Sequence, residues 1–217
     1  MTDKPALERG SVPSTGDSSS TNISTIAAGA LLEKIRNATA AGINWVQIRE
    51  KLLETRALTE LVRLAVAASG KTHTRVLVND RLDVALATGA AGVHLGESSL
   101  PVETVAEWRR SAGRAGFLIG ASCHSLEAAQ EAEGAGADYI FFGPVFATPS
   151  KAAFGAPQGI ERLREVCRSV TIPVLAIGGI TVENAHSCFD VGAAGMAAIR
   201  LFQESADLSD VVNRLRA

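Results

Sequence analysis

Several stretches of the sequence end an apolar run on groups that could bind an anion. In Trp45-Val46-Gln47-Ile48-Arg49-Glu50-Lys51, strand alternation sets Trp45, Gln47 and Arg49 on one face and Val46, Ile48 and Glu50 on the other, with Lys51 at the exit. Gln47, Arg49 and Lys51 then supply an amide and two cations suited to a diphosphate. An Arg pointing inward from an otherwise apolar strand needs an anionic partner; the competing reading pairs Arg49 with Glu50 on the surface and leaves Lys51 solvated. A second run, Val76-Leu77-Val78, ends on Asn79 and Asp80. Here a carboxylate could hold a hard cation such as Mg2+ against a diphosphate, or the pair could cap a helix.

Further along, Gly120-Ala121 leads into Ser122, a candidate substrate contact, and His124, whose imidazole could move a proton near neutral pH or be structural. No nucleophile elbow or partnered acid accompanies them, so a Ser-His-Asp triad is not predicted. The loop from Gly143 to Lys151 carries Thr148 and Ser150 and ends on a cation, a composition suited to closing over an anion. Gly178-Gly179 ends one apolar run and Arg200 follows another, at the place where loops with exposed backbone N–H groups commonly hold a phosphate. Ser122, His124 and Lys151 are the candidate catalytic groups; Gln47, Arg49, Lys51, Asn79, Thr148, Ser150, Gly178, Gly179 and Arg200 are the candidate substrate contacts; Asp80 is the candidate metal ligand.

These groups have to be positioned by a repeating scaffold. Apolar runs at about 43–49, 75–79, 92–95, 117–121, 138–143, 173–178 and 195–199 alternate with amphipathic stretches of some ten residues or more, which predicts parallel strands each followed by a helix. Four helix-to-strand joints share small residues, at 40–44, 89–94, 134–140 and 191–196, where Gly suits the left-handed position that closes a helix. The repeat predicts an α/β fold, a single-domain (β/α)8 TIM barrel over 25–217 with its site at the strand C-termini. Only seven strands are counted, and the first helix has none before it, so the first strand is expected to be missing or truncated. Residues 10–24 are rich in Ser, Thr and Gly and are read, with the rest of 1–24, as a flexible segment. Pro101 is expected to open a helix capped near Ser99.

Composition narrows the partners. With 217 residues, 47% hydrophobic and 20% charged, the chain suits one globular domain. A formal charge of -2 gives no global pull toward nucleic acid or an anionic membrane, so phosphate recognition must be local. Cys123, Cys167 and Cys188 lack the spacing of a zinc site and are read as reduced, buried thiols. The N-terminal stretch lacks a signal-peptide apolar region, and no apolar run approaches the ~18 residues of a membrane span, so the expected location is cytoplasmic.

In order along the chain, VQIREK at 46–51, VNDRLDVAL at 78–86, GVHLG at 92–96, GASCHS at 120–125, GPVFATPSK at 143–151 and AIGGI at 176–180 resemble the thiamine-phosphate synthase family and its thiazole tautomerase relatives. The match runs from about 27 to 203, and Met1-Thr2-Asp3-Lys4 resembles the tail of that family's first-strand motif. The resemblance implies an Mg2+-dependent transferase of thiamine biosynthesis that joins hydroxymethylpyrimidine diphosphate to thiazole phosphate. In the mechanism the resemblance implies, diphosphate departs first, leaving a pyrimidine methyl cation that the thiazole nitrogen captures. It implies Gln47, Arg49, Lys51 and Asn79 on the diphosphate, Asp80 on Mg2+, Ser122 near the pyrimidine, Thr148, Ser150 and Lys151 completing the anion and thiazole contacts, and Gly178 and Gly179 on the thiazole phosphate. The expected partners are phosphorylated small molecules, with a homodimer as one admissible assembly. Two departures stand out. Where synthases carry Gln and an acidic metal ligand after the HLG segment, this chain has Glu97, Ser98 and Ser99, so a second carboxylate would have to come from Glu97 or Asp83. Arg200 stands where a small hydroxyl residue is common, either on the phosphate or in its way. A thiazole tautomerase using His124 as acid and base, and a non-catalytic phosphate-binding barrel, are the alternative readings.

Overall fold

Each of the seven apolar runs forms a strand: β1 Trp45–Ile48, β2 Arg75–Asn79, β3 Gly92–Leu95, β4 Leu118–Cys123, β5 Tyr139–Phe142, β6 Val174–Ile177 and β7 Gly195–Ala197. The computed structural model describes residues 18–70, 72–148 and 156–217. Between the strands run α1 Ser18–Ala40, α2 Thr55–Ser69, α3 Leu82–Thr88, α4 Val102–Ser111, α5 Leu126–Gly134, α6 Gly159–Ser169 and α7 Val182–Asp190, with α8 Arg200–Gln203 and α9 Leu208–Arg216 after β7. The strands form one parallel sheet in sequence order, β1 to β7. Adjacent parallel strands joined by helices are what a βα repeat produces, because every crossover must pass over a face of the sheet.

The sheet is curled, and the alternation sorts its residues into two layers. Outward-facing Val76, Val78, Val93, Leu95 and Ile119 pack under α2, α3 and α4 with Leu58, Leu61, Val62 and Val105. Ile140, Phe142, Val174 and Ala176 do the same under α5, α6 and α7. The inner face is smaller: Leu77, Tyr139 and Phe141 pack with Trp45, Leu118, Leu175 and Ile177. Strands covered on both sides explain why the runs are almost uninterrupted in their hydrophobicity. Glycine on the inner face lets neighbouring strands come this close. A Cβ at Gly92 would sit 2.2 Å from the Leu118 carbonyl oxygen, one at Gly120 would sit 2.1 Å from Tyr139 Cζ, and one at Gly143 would sit 2.0 Å from the Ile177 carbonyl oxygen. At the four small-residue joints, Gly42, Gly89, Gly136 and Gly192 all have φ between 70° and 106°, as the closing of each helix requires.

Two expectations change. The described residues form a seven-stranded sheet rather than a complete (β/α)8 barrel, and no ladder among them joins β7 back to β1. An eighth strand ahead of α1 would fall in 1–17, outside the described residues. The seam is spanned by side chains instead: Arg216 of α9 donates to the Gly42 carbonyl at 2.6 Å, and Lys34 of α1 donates to the Gln203 carbonyl at 3.4 Å. The segment expected to be flexible through Ser24 is helical from Ser18 onward. Ser, Thr and Asn each cost under about 0.7 kcal/mol in a helix, which an extension of a helix anchored by buried Leu32 and Ile35 can carry.

Candidate active site at the strand C-termini

At the C-terminal end of the sheet, Gln47 at the end of β1 donates through Nε2 to Asn79 Oδ1 of β2 at 2.8 Å. Because the Asn79 oxygen is engaged, its NH2 group keeps its donors for a ligand. This is also why Asn79 caps nothing: Arg81 occupies the N-cap of α3, without a side-chain cap. Asp80 has φ 66°, a left-handed turn rare for a residue other than glycine, and its own N–H donates to the His94 carbonyl at 2.8 Å. The turn leaves its carboxylate exposed at the mouth.

Deeper lies a group that the sequence reading passed over. His94 on β3 is 1% exposed and points inward, with Nδ1 3.1 Å from the Tyr139 hydroxyl and Nε2 2.9 Å from Ser122 Oγ. Its ring lies 4.2 Å from that of Phe141. Burial pushes the imidazole down to about 4, so it is neutral at pH 7. Burial likewise raises the Tyr139 phenol, which keeps its proton. An inward polar residue between Val93 and Leu95 was a signal available from alternation alone. His124, just past β4, donates from Nδ1 to the Gly143 carbonyl.

On the far side, Gly178 and Gly179 follow β6, and the backbone of 143–148 lies against them. Val145 N–H donates to the Ile177 carbonyl at 2.9 Å and Phe146 N–H to the Gly178 carbonyl at 3.0 Å. A Cβ at Gly178 would fall 2.5 Å from Pro144 Cβ, and one at Gly179 would fall 2.6 Å from the Ala147 carbonyl oxygen. The Gly-Gly pair is therefore demanded by close approach of the neighbouring loop, whatever else its amides do. Arg200, at the start of α8, donates through its guanidinium to Thr148 Oγ1 at 3.2 Å, so the loops after β5 and β7 meet.

Other expectations shift. Arg49 does not lie within the strand: β1 ends at Ile48, and Arg49 and Lys51 are exposed in the loop beyond. Their charge is solvated there, so no buried partner is required. Ser99 does not cap α4, whose N-cap is Pro101; its hydroxyl accepts instead from Gly96 N–H at 2.8 Å. Asp83, a candidate second metal carboxylate, is paired with Arg81, which grips both of its oxygens at 2.9 and 2.6 Å and holds it below the usual carboxylate range. Glu97 is exposed on the loop after β3, the strand paired with β2. No cluster of three His, Cys, Asp or Glu capable of holding a metal occurs among the described residues. One exposed carboxylate at Asp80 fits Mg2+ held mainly by phosphate oxygens and water, the usual way proteins hold that ion. Ser150 and Lys151 lie outside the described residues.

Residues 20–202 match the profile of the thiamine monophosphate synthase family. The chain belongs to the thiamine monophosphate synthase family. Two curated relatives carry the name thiamine-phosphate synthase. One, from Methanocella arvoryzae, is 40% identical over 185 residues, 85% of this chain and 85% of the relative. The other, from Methanoregula boonei, is 43% identical over 184 residues, 85% of this chain and 83% of the relative. Among solved structures, the thiamine phosphate pyrophosphorylase of Pyrococcus furiosus superposes with a TM-score of 0.76 at 37% identity, covering 85% of this chain and 87% of that one. A 3-hexulose-6-phosphate synthase, at 16% identity and a TM-score of 0.65, shares the fold alone. Within the thiamine monophosphate synthase family fold, the groups gathered here sit where parallel α/β sheets keep their ligands, beyond the carboxyl ends of the strands.

Proposed function

We propose that the chain forms thiamine phosphate by joining hydroxymethylpyrimidine diphosphate to thiazole phosphate with release of diphosphate. The observation that carries this reading is the family match over 20–202, in which the strand ends bear Gln47, Asn79, Asp80 and Ser122. In the first step the C–O bond to diphosphate breaks and its electron pair leaves with the diphosphate. In the second, the thiazole nitrogen lone pair forms the new C–N bond to the pyrimidine methylene. Neither step needs a side-chain nucleophile. The enzyme's work is to receive the charge that develops on the leaving group and to keep water from the cation.

In this reading Asn79 donates its free amide hydrogens to the diphosphate, with Gln47 fixing the amide's orientation, and Arg49 and Lys51 approach the same anion from the β1 loop. Bound at Asp80, Mg2+ would neutralise charge on the departing diphosphate. Arg200 and Thr148, already joined, present a guanidinium and a hydroxyl to the second phosphate beside Gly178 and Gly179. The family resemblance assigns Ser150 and Lys151 to the same anion. The test is formation of thiamine phosphate from the two substrates by purified protein, with and without Mg2+. Metal-dependent product is expected, and folded protein that yields none would overturn the reading. Arg49→Ala and Lys151→Ala are each expected to lower kcat/KM roughly ten- to a hundredfold, the loss of one charge-assisted contact of about 1.5–3 kcal/mol. Unchanged kinetics in both would remove the anion site.

A further inference from the structure

We infer that Tyr139, His94 and Ser122 form a hydrogen-bond relay of fixed direction, which makes His94 a positioning residue that turns the Ser122 hydroxyl into a donor toward the mouth. The direction follows from counting donors. Among the described residues, His94 is the hydrogen-bonding partner of the Tyr139 hydroxyl, and Tyr139 is fully buried. The phenol has one hydrogen to place and keeps it, since burial disfavours the charged phenolate and raises the pKa further from neutrality. Were Nδ1 the protonated nitrogen, it would donate to the phenol oxygen and leave the phenol's own hydrogen buried without an acceptor, a costly state for a donor. The phenol must therefore donate to Nδ1. A neutral imidazole carries its hydrogen on the other nitrogen, so Nε2–H donates to Ser122 Oγ across 2.9 Å. The Ser122 oxygen is then an acceptor on its inner side, and its hydroxyl hydrogen is left for a ligand.

The site thus offers a hydroxyl hydrogen to an acceptor lone pair, while the second lone pair of Ser122 Oγ stays open. On the thiamine-phosphate synthase reading, on which the identity of this ligand rests, that acceptor is a ring nitrogen of the pyrimidine rather than its exocyclic amine. Packing supports a positioning role. His94 is clamped against Phe141 at 4.2 Å, and the Tyr139 ring occupies the space over Gly120, so neither ring can turn away.

The test has an arm that needs no substrate. In 15N-histidine spectra of the intact protein, the resonances of His94, assigned by their loss in His94→Phe or by selective labelling, are expected to report a neutral ring protonated at Nε2 from pH 5 to 8. An Nδ1–H tautomer or an imidazolium in that range would overturn the relay. The second arm measures binding of hydroxymethylpyrimidine diphosphate. Ser122→Ala and His94→Phe are each expected to weaken it about tenfold, the double variant no further, with KM for thiazole phosphate unchanged. Additive losses, or equal losses for both substrates, would refute the positioning role. If the unmodified protein binds no pyrimidine, the functional reading fails while the tautomer still decides the relay. If His94→Phe does not fold, selective labelling of the unmodified protein decides it alone.

Discussion

A neutral imidazole buried at His94 ties the stability of the protein to pH. In the unfolded chain the ring titrates near 6.5 and in the folded chain near 4, so the unfolded state binds the extra proton between those values. Stability contributed by the neutral ring is present above pH 6.5 and is lost as the pH falls toward 4, by up to about 3 kcal/mol. Urea unfolding at pH 4.5 and pH 7 should show the loss, and His94→Phe should reduce it if that variant folds. Gly120→Ala is expected to destabilise by roughly 1–3 kcal/mol or more in the same assay, because the new methyl meets the Tyr139 ring and the ring has nowhere to go. Residues at strand ends were legible in the sequence. Asn79 and Ser122 sit where alternation and the end of an apolar run placed them. His94 lies inside an apolar run rather than at its end, and its partners Tyr139 and Ser122 come from other strands, so what it bonds to shows only in the fold. Arg49 was placed inside β1 because a one-residue difference in the strand's end moves a side chain from the interior to solvent.

The seven strands were legible as elements for a specific reason. Both faces of the sheet are covered, so each strand reads as a continuous apolar run, and four of the seven are entered through small residues. The cost of that clarity was ambiguity in function, since the Gly-Gly after β6 reads as a phosphate loop when its spacing is equally required by the backbone of 143–148. At the opposite end of the strands, Arg109 of α4 pairs with Asp138 and donates to the Phe117 and Gly136 carbonyls at 3.1 Å each, while Asp138 accepts from Ile119 N–H at 2.7 Å. This knot holds α4 to the entrances of β4 and β5, the end of the fold that carries stability rather than catalysis. Arg109→Ala is expected to cost about 1–3 kcal/mol in chemical unfolding while leaving kcat/KM for thiamine phosphate formation unchanged. A parallel loss of activity would show that the two ends of the sheet are coupled.

Across the whole molecule, the repeat predicted a barrel and the described residues form an arc of seven strands whose seam is held by side chains. Periodicity reports each βα unit separately, so it says nothing of how the first and last meet. Arg216→Ala should remove the bond to Gly42 and the 3.4 Å contact with Asn44 Oδ1, and amide hydrogen exchange in 42–48 is expected to quicken while that in β4 and β5 does not. The curl itself depends on glycines facing their neighbours' bulk at 92, 120 and 143. In terms of inheritance, Gly120 and the Tyr139 ring that fills its missing side chain are a single character. A lineage that gains a methyl at 120 must first give up the aromatic ring at 139, and with it the orientation of the imidazole behind Ser122. Substitutions at 120 and 139 should therefore be found in descendants as a matched pair, whereas 92 and 143 face backbone carbonyls that no partner substitution removes and should stay glycine.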